Sequence, residues 1–164
     1  MKVLLSILFT LFFTLDNFAA CVPNSGPLTP INVDSVSVQA NGDVIVCWQP
    51  STDTDIAWYY IFYKNPLTGS NDVIDSVAAG GTCYTVVAIK NSSTIVSEEY
   101  AIGVRDICNN SMLTVLDYHN TIWVNQTVDI CSASILLDWN AYDNFQSGLN
   151  VSYNVYASQD GGAY

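Results

Sequence analysis

Beyond residue 30 the chain alternates apolar and polar side chains in short runs, cut by clusters of Gly, Pro, Asn, Asp and Ser, with no sustained helical period. Alternation of this kind marks strands with one buried face. In 31–38, Val36 and Val38 alternate with Ser35 and Ser37; in 43–48, Val44, Val46 and Trp48 share a face. Asn41-Gly42 between them reads as a tight hairpin, because both residues tolerate positive φ. The aromatic run from Trp58 to Tyr63 predicts a third strand with Tyr60 and Phe62 inward. Further strands are expected at 73–77, 83–87, 100–104 and 112–116. Short strands at this spacing predict an all-β chain folded as a two-sheet β-sandwich.

The pattern then restarts. Leu137-Asp138-Trp139 repeats Val46-Cys47-Trp48 at an offset of 91 residues, and Tyr153-Asn154-Val155-Tyr156 repeats Tyr60-Ile61-Phe62-Tyr63 at 93. That interval is close to the roughly 100 residues of one sandwich domain. It predicts a first domain over 22–118 and an incomplete second one over 119–164, holding its first three strands. Ile135, Leu137, Trp139 and Val155 are then expected to lie open to water, and the chain reads as the N-terminal piece of a longer one.

The apolar run after Lys2 ends at Asp16-Asn17 and the small pair Ala19-Ala20, which predicts a signal peptide over 1–20. The run is too short for a span, which needs roughly 20 apolar residues, so no transmembrane span is expected in the mature chain. Phe18-Ala19-Ala20-Cys21 also resembles a lipobox, which makes Cys21 a candidate for lipidation. An exported chain meets an oxidising environment, where Cys47, Cys83, Cys108 and Cys131 form an even set with more than one connectivity open. With no C-x-x-C pair and a single histidine, His119, no zinc site is expected. The net charge is −11, and past residue 20 the bases are Lys64, Lys90 and Arg105, far apart. Nucleic acid is excluded as a partner, since a phosphate backbone is held by clustered cations.

A Trp in the second strand, a Tyr-rich third strand and Tyr100 opening the sixth together resemble the fibronectin type III fold, an immunoglobulin-like β-sandwich. The stretch from Cys47-Trp48-Gln49-Pro50 to Ile56-Ala57, then Asp106-Ile107-Cys108-Asn109-Asn110-Ser111, and His119-Asn120-Thr121-Ile122-Trp123 are similar to a narrower group. They look like the tandem repeats of gliding-motility-associated proteins exported by the type IX secretion system. The resemblance covers 28–118 fully and 119–164 in part. It implies a long secreted or surface-attached protein, recognised by its secretion machinery through a C-terminal sorting domain that these residues do not contain. Asn109 stands where such repeats would carry Gly, and Asn is tolerated in a left-handed turn. Because the second and fifth strands are neighbours in such sandwiches, the resemblance pairs Cys47 with Cys83. Cys108 is then left to Cys131, across the joint between domains.

Catalytic chemistry finds no foothold. His119 stands alone at the joint, without a nucleophile and an orienting group in any recognisable arrangement, and the acids fall almost entirely in turns. No catalytic residue and no cofactor is expected. Asp53 and Asp55 are weak calcium candidates, since calcium takes about six to eight oxygens; as turn-starting side chains they need no metal. Trp58 and Trp123 lie off the repeated core positions and suit either packing at an edge or stacking on sugars or proteins. The expected function is a non-catalytic secreted or cell-surface structural or adhesion module, with surface proteins or glycans as partners. The alternative is a spacer or carbohydrate-binding segment of a secreted hydrolase whose catalytic domain lies beyond residue 164.

Overall fold

A computed structural model describes residues 28–66, 68–87, 96–113, 117–144 and 151–156. The expected signal peptide, the candidate lipidation site Cys21, Lys90 and the end of the seventh expected strand lie outside them. The described residues are all-β, with antiparallel sheets and no helix.

The strands are β1 (Val33–Val38), β2 (Val44–Trp48), β3 (Ile56–Lys64), β4 (Asn71–Ala78), β5 (Cys83–Val86), β6 (Glu99–Asp106), β7 (Ser111–Met112), β8 (His119–Asn120), β9 (Val124–Asp129) and β10 (Ser134–Trp139). One sheet has the order β1-β2-β5. A second has the order β4-β3-β6-β7, with β8 also pairing β6, and β9 and β10 form a separate two-stranded sheet. The inward faces of the first two sheets meet in one apolar cluster. Val33, Val36, Val44, Val46, Trp48 and Val86 come from one side, and Ile56, Tyr59, Ile61, Tyr100, Ile102 and Val104 from the other.

On β2 the sequence pattern translates directly, with Val44, Val46 and Trp48 all buried. On β1 a register shift between Val33 and Ser35 lets Val33 and Val36, three apart, both face inward, while Val38 is left exposed. The loop joining β1 to β2 is longer than two residues: Gln39 N–H donates to the Asp43 carbonyl, and Gly42 at φ 87° is its one left-handed residue.

The third strand corrects the sequence reading by one residue. Tyr59 and Ile61 face the core, and Tyr60 and Phe62 lie on the opposite face. The cause is a bulge between Ile56 and Trp58 in the pairing with β6, which keeps Ile56 and Tyr59 both inward and turns Trp58 outward. Tyr59 then packs on Trp48, ring centroids 5.4 Å apart, and its hydroxyl accepts a hydrogen bond from Ser51 N–H. Phe62 is nonetheless covered, because it lies over Gly103, where a side chain would meet its ring at 2.7 Å.

Asn109 adopts φ 67°, and the Asp106 carboxylate receives Cys108 N–H, Asn110 N–H and the Asn110 amide at 2.7–2.8 Å around that turn. His119 and Asn120, placed by the sequence reading at the start of the second domain, pair with Tyr100 and Glu99 of β6 and so belong to the second sheet.

Candidate functional site

Three places in the described residues bring functional-type side chains together: a buried polar joint, the apolar face of β9–β10, and the outward face of β3–β6.

The joint forms where the chain leaves β8 and where it returns after β10. Asn120 donates to the Ala141 carbonyl at 2.7 Å, and Asn140 donates to the Thr121 carbonyl at 2.9 Å and to Ser97 Oγ at 3.2 Å. Glu98 and Thr121 exchange backbone and hydroxyl hydrogen bonds at 2.8–2.9 Å. Tyr142 reaches back to β1, where its hydroxyl accepts from Val36 N–H at 2.9 Å and lies 3.1 Å from His119 Nδ1. Each of these groups would cost free energy if buried without a partner, and the network supplies the partners.

At the centre, Glu98 is fully buried and accepts a hydrogen bond from the Tyr100 hydroxyl at 2.9 Å. Burial, and then the charge of Glu98, push the Tyr100 hydroxyl far above its ordinary range, so it stays a donor. His119 is 4 % exposed, and burial lowers its pKa against the opposing pull of Asp117 and Asp34. A base whose folded pKa lies below its unfolded value takes up protons more readily when unfolded, so stability falls as the pH drops through 6.5, the ordinary histidine value. Urea titrations from neutral pH downward are expected to show that loss in the native chain and a flatter profile in His119→Gln.

Hairpin β9–β10 repeats the terminal pair of hairpin β1–β2; past that pair the register shift in β1 sets the two ladders one residue apart. Val33 faces Trp48 in the first, and Val124 faces Trp139, 91 residues on, in the second. A Trp–Tyr contact is present here too, Trp139 5.8 Å from Tyr153, although Tyr153 aligns with Tyr60 and Trp48 packs on Tyr59. What differs is the cover. Val33 and Trp48 are buried under β3 and β6, whereas Val124 is 51 % exposed and Ile135 64 %. Residues 151–156 form no strand; no strand in the described residues offers them a ladder of the kind β6 gives β3. Val124, Leu137, Trp139, Tyr153 and Val155 line an open groove of about 450 Å³.

No family model matches the chain, and no curated protein matches it.

The cysteines follow the expectation for one pair and depart from it for the other. Cys47 and Cys83 are direct cross-strand partners of β2 and β5 and form a disulfide. Cys108 is disulfide-bonded, but not to Cys131, which is free and exposed. The physical reason is distance. Cys108 lies just past Asp106, at the end of β6 remote from the Tyr100–His119 pairing, and the six-residue strand β9 carries Cys131 about 20 Å from the joint at roughly 3.3 Å per residue.

Asp53 spends its carboxylate on the entry segment, receiving Thr29 N–H at 2.9 Å, and Asp55 offers its carbonyl to Ile107 N–H. Among the described residues no cluster of three or more His, Cys, Asp or Glu could hold a metal ion. Trp123 N–H donates to the Asn140 side chain at 2.6 Å and belongs to the joint. Glu98, Asn140 and Tyr142 were not singled out by sequence reasoning, since isolated polar residues carry no periodic signal.

On the outward face of β3–β6, Trp58 stands beside Arg105 as its direct cross-strand partner and is 40 % exposed. Arg105 Nη1 donates to the Tyr60 hydroxyl at 3.2 Å.

Proposed function

We propose that the chain is a non-catalytic structural and adhesive module of a secreted or cell-surface protein, built from fibronectin type III-like repeats in series. The observation that carries this reading is the polar joint, which ties the start of the second repeat to β1 and β6 of the first through Asn120, Asn140 and Tyr142. A hydrogen-bonded joint sets the angle between successive repeats, as a spacer requires. The sheet orders β1-β2-β5 and β4-β3-β6-β7 support the fibronectin-type reading, and the repeated Val–Trp pair supports the tandem one. On this reading the open groove of β9–β10 is the inner face of a second sandwich. Kinship with the gliding-motility-associated, type IX-exported proteins rests on the resemblance of the sequence motifs.

The test is small-angle X-ray scattering of the native chain and of the double variant Asn120→Ala, Tyr142→Phe. The native chain is expected to fit one rigid shape, and the variant to show a broadened distance distribution at unchanged secondary structure. A native chain that already scatters as two freely jointed bodies would remove the basis for a spacer role.

A further inference from the structure

We infer that the outward face of β3–β6 is a binding site for a hexuronate, a sugar ring that carries a carboxylate, with Trp58 as its platform and Arg105 as its anion clamp. The inference gives the adhesive part of the proposed function a chemistry. The spacer part, tested by the joint, stands or falls separately.

The first observation is charge. The chain has 15 acids and 4 bases, and the two bases among the described residues, Lys64 and Arg105, both lie in the outward phase of this one face. Lys64 is already paired with Glu99 at 2.6 Å. Arg105 has no carboxylate partner among the described residues; its one hydrogen bond is to Tyr60, and its Nε is covered without an acceptor. In a chain so rich in acids, an arginine fork left without a carboxylate is a mismatch that a carboxylate-bearing ligand removes. The planar guanidinium matches that group in a two-point geometry.

The second observation is the bulge. Without the register shift between Ile56 and Trp58, strict alternation would not hold Ile56 inward and Trp58 outward together with Tyr59 in the core. Bulges are devices for re-aiming a side chain, and this one sets an indole directly beside the guanidinium. The small Ala78 lies on its other side, leaving room over the ring. A sugar ring presents a flat face of C–H groups that packs on an open aromatic surface, while its hydroxyls meet Tyr60 and its carboxylate meets Arg105. An apolar peptide side chain would want a pocket, and an open sheet face gives none. The high negative charge repels a dense polyanion, so the ligand fitted is a mostly neutral glycan with scattered uronates.

The probe is methyl β-D-glucuronide, followed by NMR at the Trp58 indole N–H in the native chain and by calorimetric titration in every variant, with methyl β-D-glucoside as the neutral comparison. The glucuronide is expected to shift that signal saturably, and the glucoside to bind about tenfold more weakly, as loss of one charge-assisted hydrogen bond predicts. Trp58→Ala abolishes binding. Arg105→Lys, which keeps the charge and loses the fork, weakens it about tenfold. Unchanged thermal unfolding of both variants separates these losses from misfolding. No saturable shift in the native chain, or equal binding by the native chain and both variants, overturns the inference. A glutamate-containing peptide that binds more tightly than the glucuronide overturns the choice of a sugar.

Discussion

Tyr100→Phe is expected to destabilise the protein by about 1–3 kcal/mol, the range for a buried acceptor that loses a hydrogen-bond donor. The substitution keeps the ring, which packs against Tyr63 at 5.6 Å, and removes only the hydroxyl that serves the buried carboxylate of Glu98. Urea unfolding followed by tryptophan fluorescence reads the effect as a lower midpoint at constant slope. Glu98→Gln is expected to cost less, because the amide oxygen still accepts from Tyr100. A loss under about 0.5 kcal/mol for Tyr100→Phe would mean that the carboxylate is satisfied without it.

The double replacement Cys47→Ala, Cys83→Ala is the second large effect. The bond closes a sequence separation of 36 residues, for which loop entropy gives about 4 kcal/mol as a ceiling. The measured loss is expected at about 2–4 kcal/mol, because the β2–β5 ladder that faces Cys47 with Cys83 survives the change. In the native protein, iodoacetamide is expected to modify Cys131 and to spare Cys47, Cys83 and Cys108. Peptide mapping before and after reduction checks both statements. Modification of Cys108 without reduction would contradict its bonded state.

How much of this could be read from the sequence depended on the kind of signal. Val44, Val46 and Trp48 alternate with less buried neighbours, so the inner face of β2 was legible from period alone. The run from Trp58 to Tyr63 is apolar or aromatic at every position, so period two fits either phase, and only the bulge opposite β6 selects Tyr59 and Ile61. The repeat was legible because Trp139 returns at a fixed interval, and Val124 faces Trp139 as Val33 faces Trp48. The joint was not. Asn120, Asn140 and Tyr142 meet through hydrogen bonds across about twenty residues of chain, and nothing in composition distinguishes them from surface polar residues. The pairing of Cys108 with Cys131 failed because it rested on elimination, which carries no information about distance: the two cysteines lie beyond the ends of β6 and β9 remote from the joint.

The link from β8 to β9 is short. Asn120 is the last residue of one sheet and Val124 the first of the next, so Thr121, Ile122 and Trp123 are the whole connection, and even fully extended they reach about 10 Å. A connection with so little slack does not uncoil under tension. Traction on the far side of the hairpin would bear at once on the Asn120 and Tyr142 hydrogen bonds, which lie in parallel with the backbone, and through Tyr142 on β1 at Val36. Tension entering through the hairpin would thus be shared by the joint, the short strand β8 and β1.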